Sequence, residues 1–546
     1  MRSRPRLLST ASLSCLLLAL GAGQVRADAS TSAEIALLKA QLRRLEAKVA
    51  AQERRDHARD RAEAAPAAAG PGPAATRKQV VQGTPVNAAH PAARAVGDQV
   101  YGDGPLPQFV ACPEKSLCYK GLTFTPGGFV ALETVSRQHN LAADVDTPFG
   151  AIPFRQNRAG RLGEFRFSAR QSRISGLVEG NPDPFTHLSA YGEFDFLGAA
   201  QTANSNESNS YNLRIRHLYA TADRSDYGLH FLAGQTWSLA TMFTKGLQVR
   251  KEDIPLTIDA QYVPGFVWSR QPQVRLVEDI SPILSVGVSA ENPQTTENGT
   301  LPSSFTYNQA ATGGGLFNSL NSLSLNHAPD LVAKVAYDPT IDGHDVHVEA
   351  FGIGRDFYSR YGGQNRDVIG GGGGGSVVVG AVPKVLDLQL SGAIGEGLGR
   401  YGTAQLPDIT VSSTGRAEPL AEFMLLAGAT FHATPTLDFY AYAGLEQDDR
   451  SALGTVGGVN YGYGNPLNSN AGCNIEGSTA TCTANNRTVR QVTGGLWDTI
   501  YSGPFGQLRG GLQASFTQRQ AFSSVQGGAP HADEAEVLTS IRYYPF

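Results

Sequence analysis

Residues 188–196 read LSAYGEFDF, and this stretch decides the fold. Leu188, Ala190, Phe194 and Phe196 alternate with Ser189, Tyr191, Glu193 and Asp195. Successive side chains of a strand point to opposite sides, so period 2 gives one apolar and one polar face. The same alternation appears on both sides of this stretch. In EFRFSAR, Phe165, Phe167 and Ala169 alternate with Arg166, Ser168 and Arg170. In YNLRIR, Tyr211, Leu213 and Ile215 alternate with Asn212, Arg214 and Arg216. LDFYAYAGLE (437–446) and QLRGGLQASFTQ (507–518) repeat it near the C-terminus.

A half-buried soluble sheet has the same alternation, so the connections must decide. Sixteen strands are expected near 127–135, 164–177, 186–197, 210–222, 228–237, 267–277, 282–291, 330–338, 345–355, 368–381, 385–394, 419–432, 437–446, 490–501, 506–518 and 533–544. The even-numbered connections are short and turn-like: EGNPDP, DRSDY, EDIS, PTIDGH, VPK, ATPT and SGPF. The odd-numbered ones are expected to be longer, polar or glycine-rich. Strict alternation of short and long connections belongs to a transmembrane barrel with short turns at one end and long loops at the other. The expected fold is therefore all-β: an antiparallel transmembrane β-barrel of about 16 strands over 119–546. No apolar run after residue 22 reaches the ~18 residues of a spanning helix, which excludes a helical membrane protein.

Three segments precede the barrel. Residues 1–27 carry Arg2, Arg4 and Arg6, an apolar run from Leu7 to Leu20, and the small-x-small site Val25-Arg26-Ala27. They read as a secretory signal, with a retained anchor helix as the alternative. Residues 31–61 form an expected helix whose seam Ile35, Leu38, Leu42, Leu45, Val49 has heptad spacing. A periplasmic coiled coil and a solitary amphipathic helix both fit that seam. Residues 62–118, with AAPAAAGPGPAA, read as a flexible linker and pre-barrel segment.

Cleavage would remove Arg2, Arg4, Arg6 and Arg26 and take the formal charge from -4 to -8. An acidic chain is no footprint for nucleic acid. Four cysteines would remain, close in sequence as Cys112 with Cys118 and Cys473 with Cys482. Two local disulfides are expected in an oxidising compartment; a zinc site is the alternative, opposed by the spacing and the lack of adjacent histidine.

Several segments together resemble the DcaP-like trimeric porin family: FSARQSRI (167–174), AYGEFDF (190–196), SYNLRIRHLYA (210–220), LAGQTWSL (232–239), SRQPQVRL (269–276), GEGLGRYG (395–402) and the closing RYYPF. The resemblance implies a homotrimer in the Gram-negative outer membrane, in contact with lipid and lipopolysaccharide. It also implies a periplasmic N-terminal segment and small anionic, dicarboxylate-like solutes. The long Ala/Pro linker and both cysteine pairs depart from what the resemblance leads one to expect.

If the apolar phase faces lipid, the polar phase lines a lumen. Arg166, Arg170, Arg214, Arg216, Arg275 and Arg509 all fall on it. Guanidinium groups stay charged and grip carboxylates with two prongs, so such a row would favour anions. The bland alternative is that these arginines pair with Glu193, Asp195 or Glu291 and brace the wall. The fifth connection, 240–265, holds Lys245, Arg250 and Lys251 against Glu252, Asp253 and Asp259. It is a candidate infolded loop, or an ordinary external one. His344 and His347 stand three apart on a strand and point to opposite faces, which argues against a metal there. The glycine run 370–375 lacks the Lys-Ser/Thr of a phosphate loop and reads as a low-bulk strand. No nucleophile elbow or paired-carboxylate motif is found, and no cofactor is expected. A barrel acting as a surface adhesin or hydrolase through its long loops is the rival reading.

Overall fold

The computed structural model describes residues 112, 113, 115–199, 211–310 and 322–546. The predicted signal segment, the heptad helix and almost all of the linker lie outside the described residues.

Sixteen strands follow in chain order, each antiparallel to the next. They are β1 (Leu122–Arg137), β2 (Glu164–Ser168 continued by Arg173–Asp183), β3 (Thr186–Asp195), β4 (Arg214–Arg224), β5 (Leu229–Trp237) and β6 (Arg270–Ser281). Then come β7 (Leu284–Glu291), β8 (Asp330–Tyr337), β9 (His344–Tyr361), β10 (Gln364–Val382) and β11 (Leu386–Glu396). The last five are β12 (Ala421–His432), β13 (Leu437–Asp448), β14 (Asn486–Gly503), β15 (Gly506–Ala521) and β16 (His531–Tyr544). β16 pairs back onto β1, from Val130 opposite Tyr543 to Arg137 opposite Glu536, so the sheet closes into a barrel. Every strand read from the alternation is present.

Two local features differ from the expectation. The ninth connection is not a loop. Residues on both sides of it join the ladder, and Gly362 and Gly363, with φ of 58° and 81°, make a two-residue turn. Both positions need positive φ, which glycine supplies without steric cost. β2 breaks at residues 169–172, where Ser172 Oγ accepts the Ala131 N–H at 2.9 Å.

The side-chain distribution is inverted relative to a soluble protein. Leu132, Phe167, Leu188, Leu213, Val288, Leu390, Phe516 and Ile541 are exposed on the outer face. Glu133, Arg137, Glu193, Asp195, Gln273, Glu349 and Glu446 are buried within. An apolar band running right round a barrel would be a severe liability in water. Against hydrocarbon it is the required outer surface. The inward charges are paired across the lumen wall: Arg137 with Glu536 at 3.2 Å, Arg542 with Glu133 at 2.6 Å and Lys334 with Glu349 at 2.7 Å. In the glycine run of β10, a Cβ at Gly374 would come within 2.7 Å of the Phe351 ring, so bulk is excluded there.

Both cysteine pairs are disulfides, Cys112–Cys118 and Cys473–Cys482. The second lies in the connection after β13. Cys473 packs with Ile152, Phe154, Ala521 and Ala532, and its carbonyl accepts the Gln156 N–H at 2.9 Å. The first and thirteenth connections are thereby joined over one side of the barrel mouth.

Candidate constriction site

The connection between β5 and β6, residues 238–269, enters the barrel. Its descending half follows the wall of β5 to β8. Lys334 Nζ donates to the Thr241 carbonyl at 2.7 Å, the Gly246 N–H to Asp338 at 3.0 Å, and the Gln248 amide to Asp279 at 3.1 Å. Asp279 and Asp338 stand at the short-turn end, so the loop traverses the lumen. The returning half lies against the opposite wall. Tyr442 OH accepts the Leu256 N–H at 3.1 Å, and Trp497 Nε1 donates to the Leu256 carbonyl at 2.8 Å. Gln513 Oε1 accepts the backbone N–H groups of Ile258 and Asp259. Phe243, Leu247, Ile258, Val263 and Phe266 are fully buried and seal the loop in place. The candidate loop of the sequence is thus the infolded one.

Beside it lies a cavity open to solvent. Arg173 of β2, Arg216 of β4, Arg250 of the loop, Arg509 of β15 and Arg542 of β16 line it. Its lining carboxylates are three, Glu193, Glu252 and Asp259. Two of these sit on the loop. Burial, then repulsion from Glu536, holds Asp259 well above the usual carboxylate range, outweighing Arg137. Burial likewise pushes Glu252 up, against the pull of Arg275. Five guanidinium groups thus stand against three carboxylates along the lining. Tyr262 also borders the cavity; burial raises its phenol, but Arg216, Arg270 and Arg173 outweigh burial and draw it down to about 8.

Local backbone irregularities aim these side chains. Glu193 pairs with His217 and Phe194 with Ile215, so Arg216 is the extra residue of a bulge. Bulges re-aim side chains, and here the bulge points Arg216 at Glu193 (2.6 Å), Asp195 (3.2 Å) and Tyr262 OH (3.3 Å). The break in β2 shifts the inward phase by one residue. Glu164, Arg166 and Ser168 face inward before it, and Arg173 and Leu177 after it. Arg542 and Arg509 stand over Trp497 at 4.7 and 5.3 Å, an aromatic face that suits guanidinium.

Of the six arginines singled out from the sequence, Arg216 and Arg509 reach this cavity. Arg214 holds Asp195 with two prongs at 3.0 and 2.7 Å. Arg275 is buried behind the infolded loop, donating to Gln273 at 3.0 Å and to the Trp237 carbonyl at 2.5 Å. Arg166 is on the inward phase and pairs with Glu164 at 3.2 Å. Arg170 lies in the break, pairs with Asp144 at 2.9 Å and stacks on Tyr211 at 3.5 Å. Arg173 and Arg542 were not among the six. Arg542 was legible, since it shares the inward phase of Leu538, Ser540 and Tyr544. Arg173 was hidden by the phase shift at the break.

No family model matches the sequence, and no curated protein matches it. Among solved structures, the outer membrane channel DcaP of Acinetobacter baumannii is similar, with a TM-score of 0.54 at 16% identity over 78% of this chain and 99% of that chain. The anion-selective porin from Comamonas acidovorans has a TM-score of 0.43 at 10% identity over 78% of this chain and 99% of that one. The first likeness shows that the chain shares the barrel fold of that protein, in agreement with the resemblance read from the sequence.

Proposed function

We propose that this chain is an outer-membrane porin passing small anionic, dicarboxylate-like solutes through an arginine-lined constriction, and that it is not an enzyme. The observation that carries this reading is a cavity lined by five arginines, four on strands and one on the infolded loop, against three carboxylates. A guanidinium wall in a confined, low-dielectric passage concentrates anions and repels cations. Two guanidinium groups on neighbouring strands suit a solute with two carboxylates, held weakly enough to leave. In this reading the short turns face the periplasm, the long loops face outward among lipopolysaccharide, and the chain works as a homotrimer. The heptad helix 31–61 would then lie in the periplasm.

Bilayer recordings of the purified full chain in a salt gradient test the proposal. The expected reversal potential shows anion preference, blunted at high salt because the field reaches only about 10 Å at 0.1 M. Cation preference would overturn it.

A further inference from the structure

A second site lies away from the lumen, on the outer face at the long-loop end. Asp356 is on β9, Asp367 on β10, and His327 ends the connection that leads into β8. In the ladder Asp356 stands opposite Ile369, and Tyr358 opposite Asp367. Directly opposed residues share a face, so both aspartates are on the side of exposed Ile369. The Gly362–Gly363 turn closes this hairpin tightly and fixes their separation.

We propose that His327, Asp356 and Asp367 bind one divalent transition-metal ion of the zinc class. His327 Nδ1 lies 3.0 Å from Asp356 Oδ2 and 3.5 Å from Asp367 Oδ1, and all three ligand atoms fall within 4.8 Å of one another. Zinc bonds of about 2.0–2.2 Å in a tetrahedron imply ligand-to-ligand edges of about 3.4 Å. Two of the three edges, 3.0 and 3.5 Å, already stand near that length, and the third is within 4.8 Å. One imidazole and two carboxylates suit zinc and its neighbours; calcium wants six to eight oxygens and magnesium an octahedron. Three protein ligands leave a fourth position for water.

Two further observations point to a ligand. The Asp356 side chain is only 9% exposed, yet neither of its oxygens accepts a hydrogen bond. Its ion pair is with His327, the proposed co-ligand, and an ion between them would satisfy both groups. The His327 ring packs on Tyr358 at 4.6 Å, which orients its Nδ1 toward the aspartates as outer-shell contacts orient metal ligands. An ion here would tie the end of the seventh connection to the β9–β10 hairpin.

The rival arrangement is a charged imidazolium held between two aspartates with no affinity for metal. The test is calorimetric titration of zinc chloride into the full chain in detergent, stripped beforehand with chelator. One saturable site per chain is expected, unaffected by excess magnesium or calcium. His327→Ala and Asp356→Asn should each weaken it at least tenfold. His327 is half exposed, so its removal should leave the heat-modifiable folded band on an unboiled gel. Absence of saturable zinc binding to the wild type, or equal binding by both variants, would overturn the proposal.

Discussion

The arginines of the cavity differ in how firmly each is tied, and that difference decides which can be removed cleanly. Arg216 is locked to Glu193 and Asp195, and Arg542 to Glu133 at 2.6 Å. Taking away one partner of a buried pair strands the other charge, at a cost of about 3–5 kcal/mol. Arg173 and Arg509 have looser partners, Glu193 at 3.5 Å and Asp438 at 3.6 Å. The double substitution R173Q/R509Q should therefore remove lumen charge while the barrel still folds. Its reversal potential in a salt gradient should move toward zero, with heat-modifiable mobility unchanged. An unaltered reversal potential would mark these side chains as braces. Arg216→Gln alone should instead lower thermal stability by a few kcal/mol, and E193Q added to it should recover part of the loss. A double-mutant cycle by thermal unfolding in detergent reads that coupling. Phase alone made the inward arginines legible in the sequence. It could not tell a filter from a brace, because the bulge at Arg216 and the break before Arg173 depend on cross-strand register.

The infolded loop has its own chemistry. Asp259 Oδ1 accepts the N–H groups of Thr147 and Gln261, while Oδ2 has no partner. Burial and then Glu536 raise its pKa above the ordinary carboxylate value, making it a weaker acid. A carboxyl raised on folding stabilises the seated loop fully below its unfolded value, and the benefit is lost as pH rises through the folded value. The seated loop should thus be firmest in acid and looser in alkali. Asp259→Asn keeps the accepting oxygen and abolishes the ionisation, so its channel should lose most of this pH dependence. Single-channel noise at pH 5 and pH 8 measures it; a variant as pH-sensitive as wild type would move the effect to another group. Sequence reading could nominate this loop by its length and its mixed charge. Its placement inside required partners 186 to 255 residues away, Tyr442, Trp497 and Gln513, which no local pattern announces. The Cys473–Cys482 bond belongs to this scale too. It closes a short loop and is worth a few kcal/mol at most. Reducing it should loosen the mouth to protease near residues 473–482 and leave the barrel's gel mobility unchanged.

For the whole molecule, the barrel was legible because two independent regularities agreed, strand alternation and the short/long rhythm of connections. The rhythm broke only at the ninth connection, where a glycine pair permits a tight turn that its polar neighbours had disguised as a loop. Assembly is the remaining question at this scale. The seam Ile35, Leu38, Leu42, Leu45, Val49 spans about two heptads, too short to hold isolated helices together. Three barrels held side by side would raise the local concentration of their attached helices to about the millimolar range, where a weak coiled coil forms. A chain of the Ala/Pro/Gly composition of 62–118 would, as a flexible linker, reach about 40 Å. On that expectation helices from neighbouring barrels could meet. The helix should therefore assist trimer formation without being its main support. In mild detergent, light scattering should give the full chain as a trimer. Deletion of residues 31–61 should leave barrels that insert and run as folded on an unboiled gel, with a lower trimer yield at dilute concentration. If the deleted chain trimerises as completely as the full one at every dilution, the seam has another purpose; if the full chain is monomeric, the trimer itself is lost.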